Sequence, residues 1–241
     1  MSDILETICD ASRADLDAAK KRIPFAELLS AAEKTPRAAS FKNALRARGG
    51  NPAVIAEMKK ASPSAGLIRA DFEPSKLCVE LESAGASALS VLTERNYFLG
   101  SLEFLRDAAT RVKIPLLRKD FIFDEYQIAE AKAAGASAVL LIAKMLKKPD
   151  FKRLFDFAKS LSLDVLAEAH DEAEIEAALD CGADIVGVNC RNLRTFGLDF
   201  SVSERLLKTL PDGVVKVAES GVDSRETLLR ARGAGADAAL V

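Results

Sequence analysis

The sequence predicts a (β/α)₈ (TIM) barrel carrying an N-terminal helical extension, on three observations. First, a small-residue motif recurs four times, as Ala84-Gly85-Ala86-Ser87, Ala134-Gly135-Ala136-Ser137, Cys181-Gly182-Ala183-Asp184 and Ala234-Gly235-Ala236-Asp237. Each copy follows a helix-like stretch, and a Gly there closes a helix in the left-handed conformation because it has no Cβ to clash. Second, each copy leads into a short run with few polar positions, the pattern of a strand buried on both faces of a parallel sheet. Third, the four glycines stand 50, 47 and 53 residues apart. That interval is too long for one strand and one helix but fits two such units, so four copies make eight strands.

Residues 1–50 form the extension, with helical apolar spacing at Ile4, Leu5 and Ile8 and again at Phe25, Leu28 and Leu29. Gly49-Gly50-Asn51-Pro52 ends it and releases strand one, Ala53–Lys59. The motifs introduce strand two (Ala88–Leu92), strand four (Ala138–Ile142), strand six (Ile185–Asn189) and strand eight (Ala238–Val241). Between them fall strand three (Ile114–Lys119), strand five (Leu163–Glu168) and strand seven (Val214–Glu219). Pro115 stands near the start of strand three, where a missing amide donor does least harm. Helices fill the gaps, for example Asp124–Ala134 and Asp171–Leu179, the second opening with Asp171 and Glu174 in near capping-box spacing. The one long connection, Lys60–Ser75, pairs a rigid joint at Pro63 with a flexible one at Gly66 and reads as a lid. The fourth copy stops at Val241, within strand eight. The expectation is therefore one domain over 1–241, its barrel at 51–241 truncated in or just after strand eight and lacking the last loop and helix.

Of the 241 residues, 49% are hydrophobic, enough to bury a sizeable core in one large domain. A formal charge of −2 gives no electrostatic reason for a nucleic-acid or membrane partner. No apolar run approaches a membrane span, and Met1-Ser2-Asp3-Ile4 opens no signal peptide, so the expected location is cytoplasmic. Cys9, Cys78, Cys181 and Cys190 lack metal-ligand spacing and read as reduced packing residues. His170 is the single histidine, so a histidine metal cluster is excluded and acid–base chemistry falls mainly to Lys and Glu.

Alternate residues of a barrel strand point inward, and active sites lie at the carboxyl ends. Glu57 and Lys59 share the parity of Ile55 in strand one; strands three, five, six and seven end in Lys119, Glu168, Asn189 and Glu219. Burying one polar group unpaired costs roughly 2–7 kcal/mol, and a charge more, so acids and lysines gathered at one mouth must pair and tune one another. A Lys or Glu at a strand end is more often the first solvated residue of a loop, and that plainer reading is taken for Glu94 and Lys144. His170 reads as a loop residue beside the Asp171 cap. Arg118 and Asp120, opposite in parity to Lys119, point outward toward the helices.

Ile55-Ala56-Glu57-Met58-Lys59-Lys60-Ala61-Ser62-Pro63-Ser64 resembles the strand-one signature of the indole-3-glycerol phosphate synthase family of tryptophan biosynthesis. Leu117-Arg118-Lys119-Asp120-Phe121, Gly187-Val188-Asn189-Cys190-Arg191-Asn192-Leu193 and Val217-Ala218-Glu219-Ser220-Gly221 extend the resemblance, in order, over essentially the whole chain. It implies a carbon–carbon lyase that cyclises 1-(2-carboxyphenylamino)-1-deoxyribulose 5-phosphate with loss of carbon dioxide and water, using no metal or organic cofactor. It further implies Lys119 as general acid, Glu168 as general base, and Lys59 as a catalytic residue that binds substrate charge and can also donate a proton, with the division of proton transfers between the two lysines left open. Glu57 and Asn189 then orient the substrate and the lysines, and Ser62 and Arg191 hold its polar groups. Glu219 binds ribulose hydroxyls beside Ser220, and Ser220-Gly221 supply the strand-seven half of a phosphate site. Lys119 can serve as an acid near neutral pH if burial and neighbouring charge lower its pKa. The implied partner is a small phosphorylated substrate, with the chain a monomer or an associate of other tryptophan-pathway enzymes. Two rivals stand beside this reading. One is a sister phosphate-binding barrel such as phosphoribosylanthranilate isomerase, which lacks these strand-one and strand-three motifs; the other is a non-catalytic truncated barrel.

Overall fold

In the computed structural model, which describes residues 4–46, 51–191 and 197–241, the four repeat motifs close their helices in the same way. Gly85, Gly135, Gly182 and Gly235 have φ of 95°, 88°, 94° and 93°. In the first copy the Gly85 N–H donates to Glu82 O at 3.0 Å and the Ala86 N–H to Leu81 O at 3.1 Å; the same pair of bonds recurs in the other three. This Schellman closure satisfies carbonyls that the helix end would leave orphaned and turns the chain into the next strand. The Gly49-Gly50 break and the Asn192-Leu193 end of the strand-six motif lie outside the described residues.

The strands are β1 (Ala53–Met58), β2 (Ala88–Leu92), β3 (Leu116–Lys119), β4 (Ala138–Ile142), β5 (Asp164–Ala169), β6 (Ile185–Asn189), β7 (Val215–Glu219) and β8 (Ala238–Leu240). All pair in parallel, and the barrel closes where β8 meets β1, with Ala53 opposite Ala238 and Ile55 opposite Leu240. Their ends depart from the sequence expectation by at most two residues. The outer ring comprises α4 (Pro74–Ser83), α5 (Leu102–Arg111), α6 (Glu125–Ala133), α7 (Lys148–Ser160), α8 (Glu172–Asp180), α9 (Phe200–Thr209) and α10 (Arg225–Gly233). The long loop after β1 folds on itself as a small antiparallel hairpin, Ala61–Ser62 against Gly66–Leu67. No described helix is long and apolar enough to cross a membrane.

Alternation along the strands divides the core in two. Ile55, Leu117, Leu140, Leu166 and Val217 meet inside the barrel, while Met58, Val91, Val139 and Val186 face the helices. The inward rows of β1, β3, β5, β6 and β7 therefore continue upward into Glu57, Lys119, Glu168, Asn189 and Glu219, as their parity predicts.

The extension comprises α1 (Ile4–Arg22), α2 (Phe25–Lys34) and α3 (Phe41–Leu45). Phe41 and Leu45 are fully buried in the inner cluster, so α3 plugs the base of the barrel. Asp164 at the foot of β5 holds it there, accepting from the Lys42 N–H at 3.0 Å and the Ser40 hydroxyl at 3.3 Å, and Lys42 Nζ reaches Asp184 at 2.6 Å. At the other end α1 is tied to α6 by the Tyr126 hydroxyl, which donates to Ala19 O at 2.9 Å and Ile23 O at 3.0 Å.

One sequence expectation is overturned here. Glu94 is not a solvated loop residue: it is 3% exposed, and its carboxylate accepts the backbone N–H groups of Asn96, Tyr97 and Phe98 at 2.8–2.9 Å. The loop after β2 turns its amides inward, and the carboxylate is their acceptor. Lys144 is exposed, as read.

Replacing Phe41 by Ala removes the plug and leaves a cavity under the barrel. Urea unfolding should show a loss of about 3–5 kcal/mol; a loss below about 1 kcal/mol would mean that α3 does not seal the base.

Candidate active site

The barrel opens at the carboxyl ends of its strands into a cavity of about 410 Å³, a volume suited to a small-molecule ligand. Glu57 and Lys59 from β1 and its end, Lys119, Glu168, Asn189 and Glu219 all line it. Ser62 from the β1 loop, Arg191 after β6, and Ser220 and Gly221 after β7 complete its polar wall. Every residue that the sequence reading assigns to the site thus lines one chamber. The sequence reading does not find the apolar wall: Ile4, Leu5 and Ile8 of α1 line the cavity together with Phe98 and Phe121. Helical spacing marks α1 as amphipathic but does not say which part of the barrel its apolar face meets.

The polar groups pair. Lys59 Nζ contacts Glu57 Oε1. Lys119 Nζ stands 3.5 Å from Glu168 Oε2, and Asn189 Nδ2 donates to the other oxygen, Oε1, at 3.1 Å. Asn189 Oδ1 in turn accepts from the Ser220 hydroxyl at 2.9 Å and the Arg191 backbone N–H at 3.0 Å. One amide therefore joins the centre of the site to the loop after β7. That loop is under backbone strain, because Ser220 lies in the left-handed region at φ 65°. Behind Lys119, Arg118 points outward as expected, donating to Gln127 O at 2.6 Å and to Asp120 Oδ2 at 2.9 Å. This buried pair pins the backbone on both sides of the lysine.

Electrostatics departs from the sequence expectation. Burial pushes Lys119 downward, but Glu168, Glu219 and Glu57 outweigh it, and its pKa lies above the ordinary lysine value. Burial pushes Glu168 upward, but Lys119 foremost, then His170 and hydrogen bonds from Glu219 and Asn189, bring it below the ordinary value. Glu219 goes the other way: burial, then the neighbouring Glu168 charge, raise it well above a normal carboxylate, and Lys119 only partly offsets them. The two carboxyls are therefore driven apart, Glu168 toward the ionised form and Glu219 toward the protonated one. Glu219 Oε1 is buried without a hydrogen-bond partner among the described residues, a position a neutral carboxyl tolerates far better than a carboxylate.

The room for that carboxyl comes from Gly187 on β6. A Cβ there would collide with Glu219 Oε1 and crowd Leu166. A lone Gly inside an apolar strand signals such a close approach, and Gly187 is the sequence feature from which it could have been read.

His170 is a loop residue beside the Asp171 cap, as expected, but its ring turns toward Glu168, with Nε2 3.6 Å from Oε1. The capping box is also redirected. Asp171 accepts the Glu174 N–H at 2.9 Å, whereas the Glu174 carboxylate accepts the N–H of His170 at 2.8 Å instead of closing on Asp171.

A pH test follows from Glu219. An unfolded Glu loses its proton near pH 4.3, roughly, while the folded protein retains this one to higher pH. Over that window the unfolded state binds fewer protons, so Glu219 makes stability fall as pH rises. Glu219→Gln keeps the shape without the titration. Its melting temperature relative to the parent should therefore climb as pH rises above about 4.3; a difference that stays constant with pH would mean that the Glu219 pKa is not raised in the folded state.

The family model described as indole-3-glycerol phosphate synthase matches residues 5–241. A protein of that name from Koribacter versatilis is 51% identical over 244 residues, spanning 100% of this chain and 93% of that protein. Another, from Nautilia profundicola, is 48% identical over 239 residues, spanning 99% and 91%. Among solved structures, the N-acetylmannosamine-6-phosphate 2-epimerase of Clostridium perfringens superposes with a TM-score of 0.62 at 15% identity, over 83% of this chain and 87% of that one. That likeness is one of fold, and fold does not carry chemistry. Identity along the full length does, and the chain belongs to the indole-3-glycerol phosphate synthase family, lyases of tryptophan biosynthesis that close the indole ring of a phosphorylated substrate with loss of carbon dioxide and water.

Proposed function

We propose that Lys119 and Glu168 divide the proton transfers of ring closure, Lys119 as general acid and Glu168 as general base. The observation that carries this is their 3.5 Å ion pair facing the cavity, with Asn189 fixing the second Glu168 oxygen. As the aromatic carbon bearing the carboxylate attacks the ribulose carbonyl, the carbonyl oxygen gains negative charge and takes a proton from Lys119. Carbon dioxide then leaves, and its bonding pair restores the aromatic ring. In the dehydration the new hydroxyl departs as water after protonation, while Glu168 removes the proton whose loss completes the indole. A lysine with a raised pKa gives up its proton only to a strongly basic oxygen, so transfer is timed to the developing alkoxide rather than to the ground-state carbonyl.

Lys59, held by Glu57, binds the departing carboxylate, and the Ile4, Leu5 and Ile8 wall receives the aromatic ring. Glu219, as a neutral carboxyl, donates to ribulose hydroxyls. Ser62 and Arg191 bind the remaining polar groups, and Ser220 and Gly221 offer backbone N–H groups to the phosphate. The loop Lys60–Ser75 closes over the bound substrate and excludes water. The enzyme works in the cytoplasm, as a monomer or alongside other enzymes of the pathway.

Lys119→Met keeps aliphatic length and removes the donor. Glu168 answers the lost cation by taking up a proton, so the fold survives. Steady-state kinetics should show kcat reduced by about 10²–10⁴-fold; turnover within about threefold of the parent would remove Lys119 from this role. Hydrogen exchange across residues 60–75 should slow when indole-3-glycerol phosphate binds. Equal protection with and without this product would argue against a lid.

A further inference from the structure

Glu168 is approached from the cavity by Lys119, Asn189 and Glu219, and from behind by a group that does not line the cavity, the imidazole of His170. Leu166, Glu168 and His170 share one parity, so the ring continues the inward row of β5 just past its end. Its first nitrogen is gripped: Nδ1 is 3.1 Å from Glu174 Oε2, the oxygen that also accepts the His170 backbone N–H. Glu174 itself is anchored in the first turn of α8 by the Asp171 cap. Its second nitrogen, Nε2, is buried and has no hydrogen-bond partner among the described residues. It faces Glu168 Oε1 at 3.6 Å, just beyond bonding distance, with only 11% of the imidazole exposed.

A ring fixed at one end and unsatisfied at the other acts on whatever the free end faces. We propose that His170 is a positioning residue for ring closure: clamped by Glu174 through Nδ1–H, it sets the orientation of the Glu168 carboxylate through Nε2–H, and the gap closes to a hydrogen bond donated by Nε2–H to Oε1 when Glu168 engages substrate. The proposal rests on the reading of Glu168 as general base. It assigns α8 a part in the site, since the clamp reaches the base from the first turn of that helix. Misplacing a base by a fraction of an ångström slows proton transfer without weakening substrate binding.

Two amide substitutions separate this role from a purely structural one. Asn places its amide near Nδ1 and preserves the bond to Glu174; Gln reaches the Nε2 position and preserves the group facing Glu168. His170→Asn should keep the parental melting temperature and KM while kcat falls about tenfold to a hundredfold, and His170→Gln should recover most of that loss. If His170→Asn turns over within about twofold of the parent, or if both variants lose activity only in step with melting temperature, the positioning role is overturned. Because His170 is the single histidine, the imidazole ¹⁵N spectrum of the full chain contains one residue and needs no variant of it. Glu168→Gln should move the Nε2 resonance and Glu174→Gln the Nδ1 resonance; an Nε2 signal blind to Glu168→Gln would also overturn the proposal. The two readings fail differently. An active Glu168→Gln enzyme removes the general base and this proposal with it, whereas an inactive Glu168→Gln with a fully active His170→Asn removes the positioning role alone.

Discussion

Two lysines and three glutamates share one buried mouth, and they cannot all be charged. Lys59 pairs with Glu57 and Lys119 with Glu168, which leaves one carboxyl without a cation. At low effective dielectric an uncompensated carboxylate beside Glu168 is costly, and burial together with the Glu168 charge raises the Glu219 pKa well above the ordinary carboxylate value. Much of the surrounding design follows. Gly187 clears the space that the neutral carboxyl occupies, and Asn189 satisfies the Glu168 oxygen that Lys119 does not reach. The same charge balance makes the two glutamates chemically unlike although both end barrel strands, and divergent pKa values in one site are how one fold obtains an acid and a base at one pH.

An anionic substrate must enter a chamber whose cations are already engaged. In the proposed pose the substrate carboxylate competes with Glu57 for Lys59 and the ribulose oxygen approaches Lys119 beside Glu168, so binding would exchange internal polar contacts for substrate ones. This keeps the lysines desolvated and oriented beforehand, which lowers the reorganisation needed once charge develops on the ribulose oxygen. It also explains why burial alone fails to predict the sign of the Lys119 shift. Desolvation is the largest single influence on that lysine, yet the three carboxylates together exceed it.

The fold was legible because its punctuation is local. A Schellman closure requires a left-handed residue, here three positions before the first residue of the strand; Gly supplies it, and four copies at near-equal spacing give the strand count. Strand parity was equally local, and it placed Glu57, Lys119, Glu168, Asn189 and Glu219 in one chamber. What escaped depends on other parts of the chain. Glu94 looks like any loop carboxylate until the loop folds three amides onto it. The charge states of Lys119 and Glu219 follow from residues on different strands. His170 had the right parity for the site, but lying one residue past β5 it was read with the helix cap that follows it.

The helical extension connects these levels. Its first helix supplies apolar lining at the mouth, and its third seals the base, so one segment touches both ends of the barrel axis. Catalytic groups on strands hold their geometry only as well as the strands hold theirs. Phe41 and Leu45 complete the inner cluster from below, and that cluster is the floor on which Lys119, Glu168 and Glu219 stand. The loop after β1 is built differently, with a two-residue hairpin and the exposed side chains Leu67 and Ile68 at its edge. A lid of the kind proposed would change only the opening, because the ion pairs beneath it are carried by the barrel strands and not by this loop.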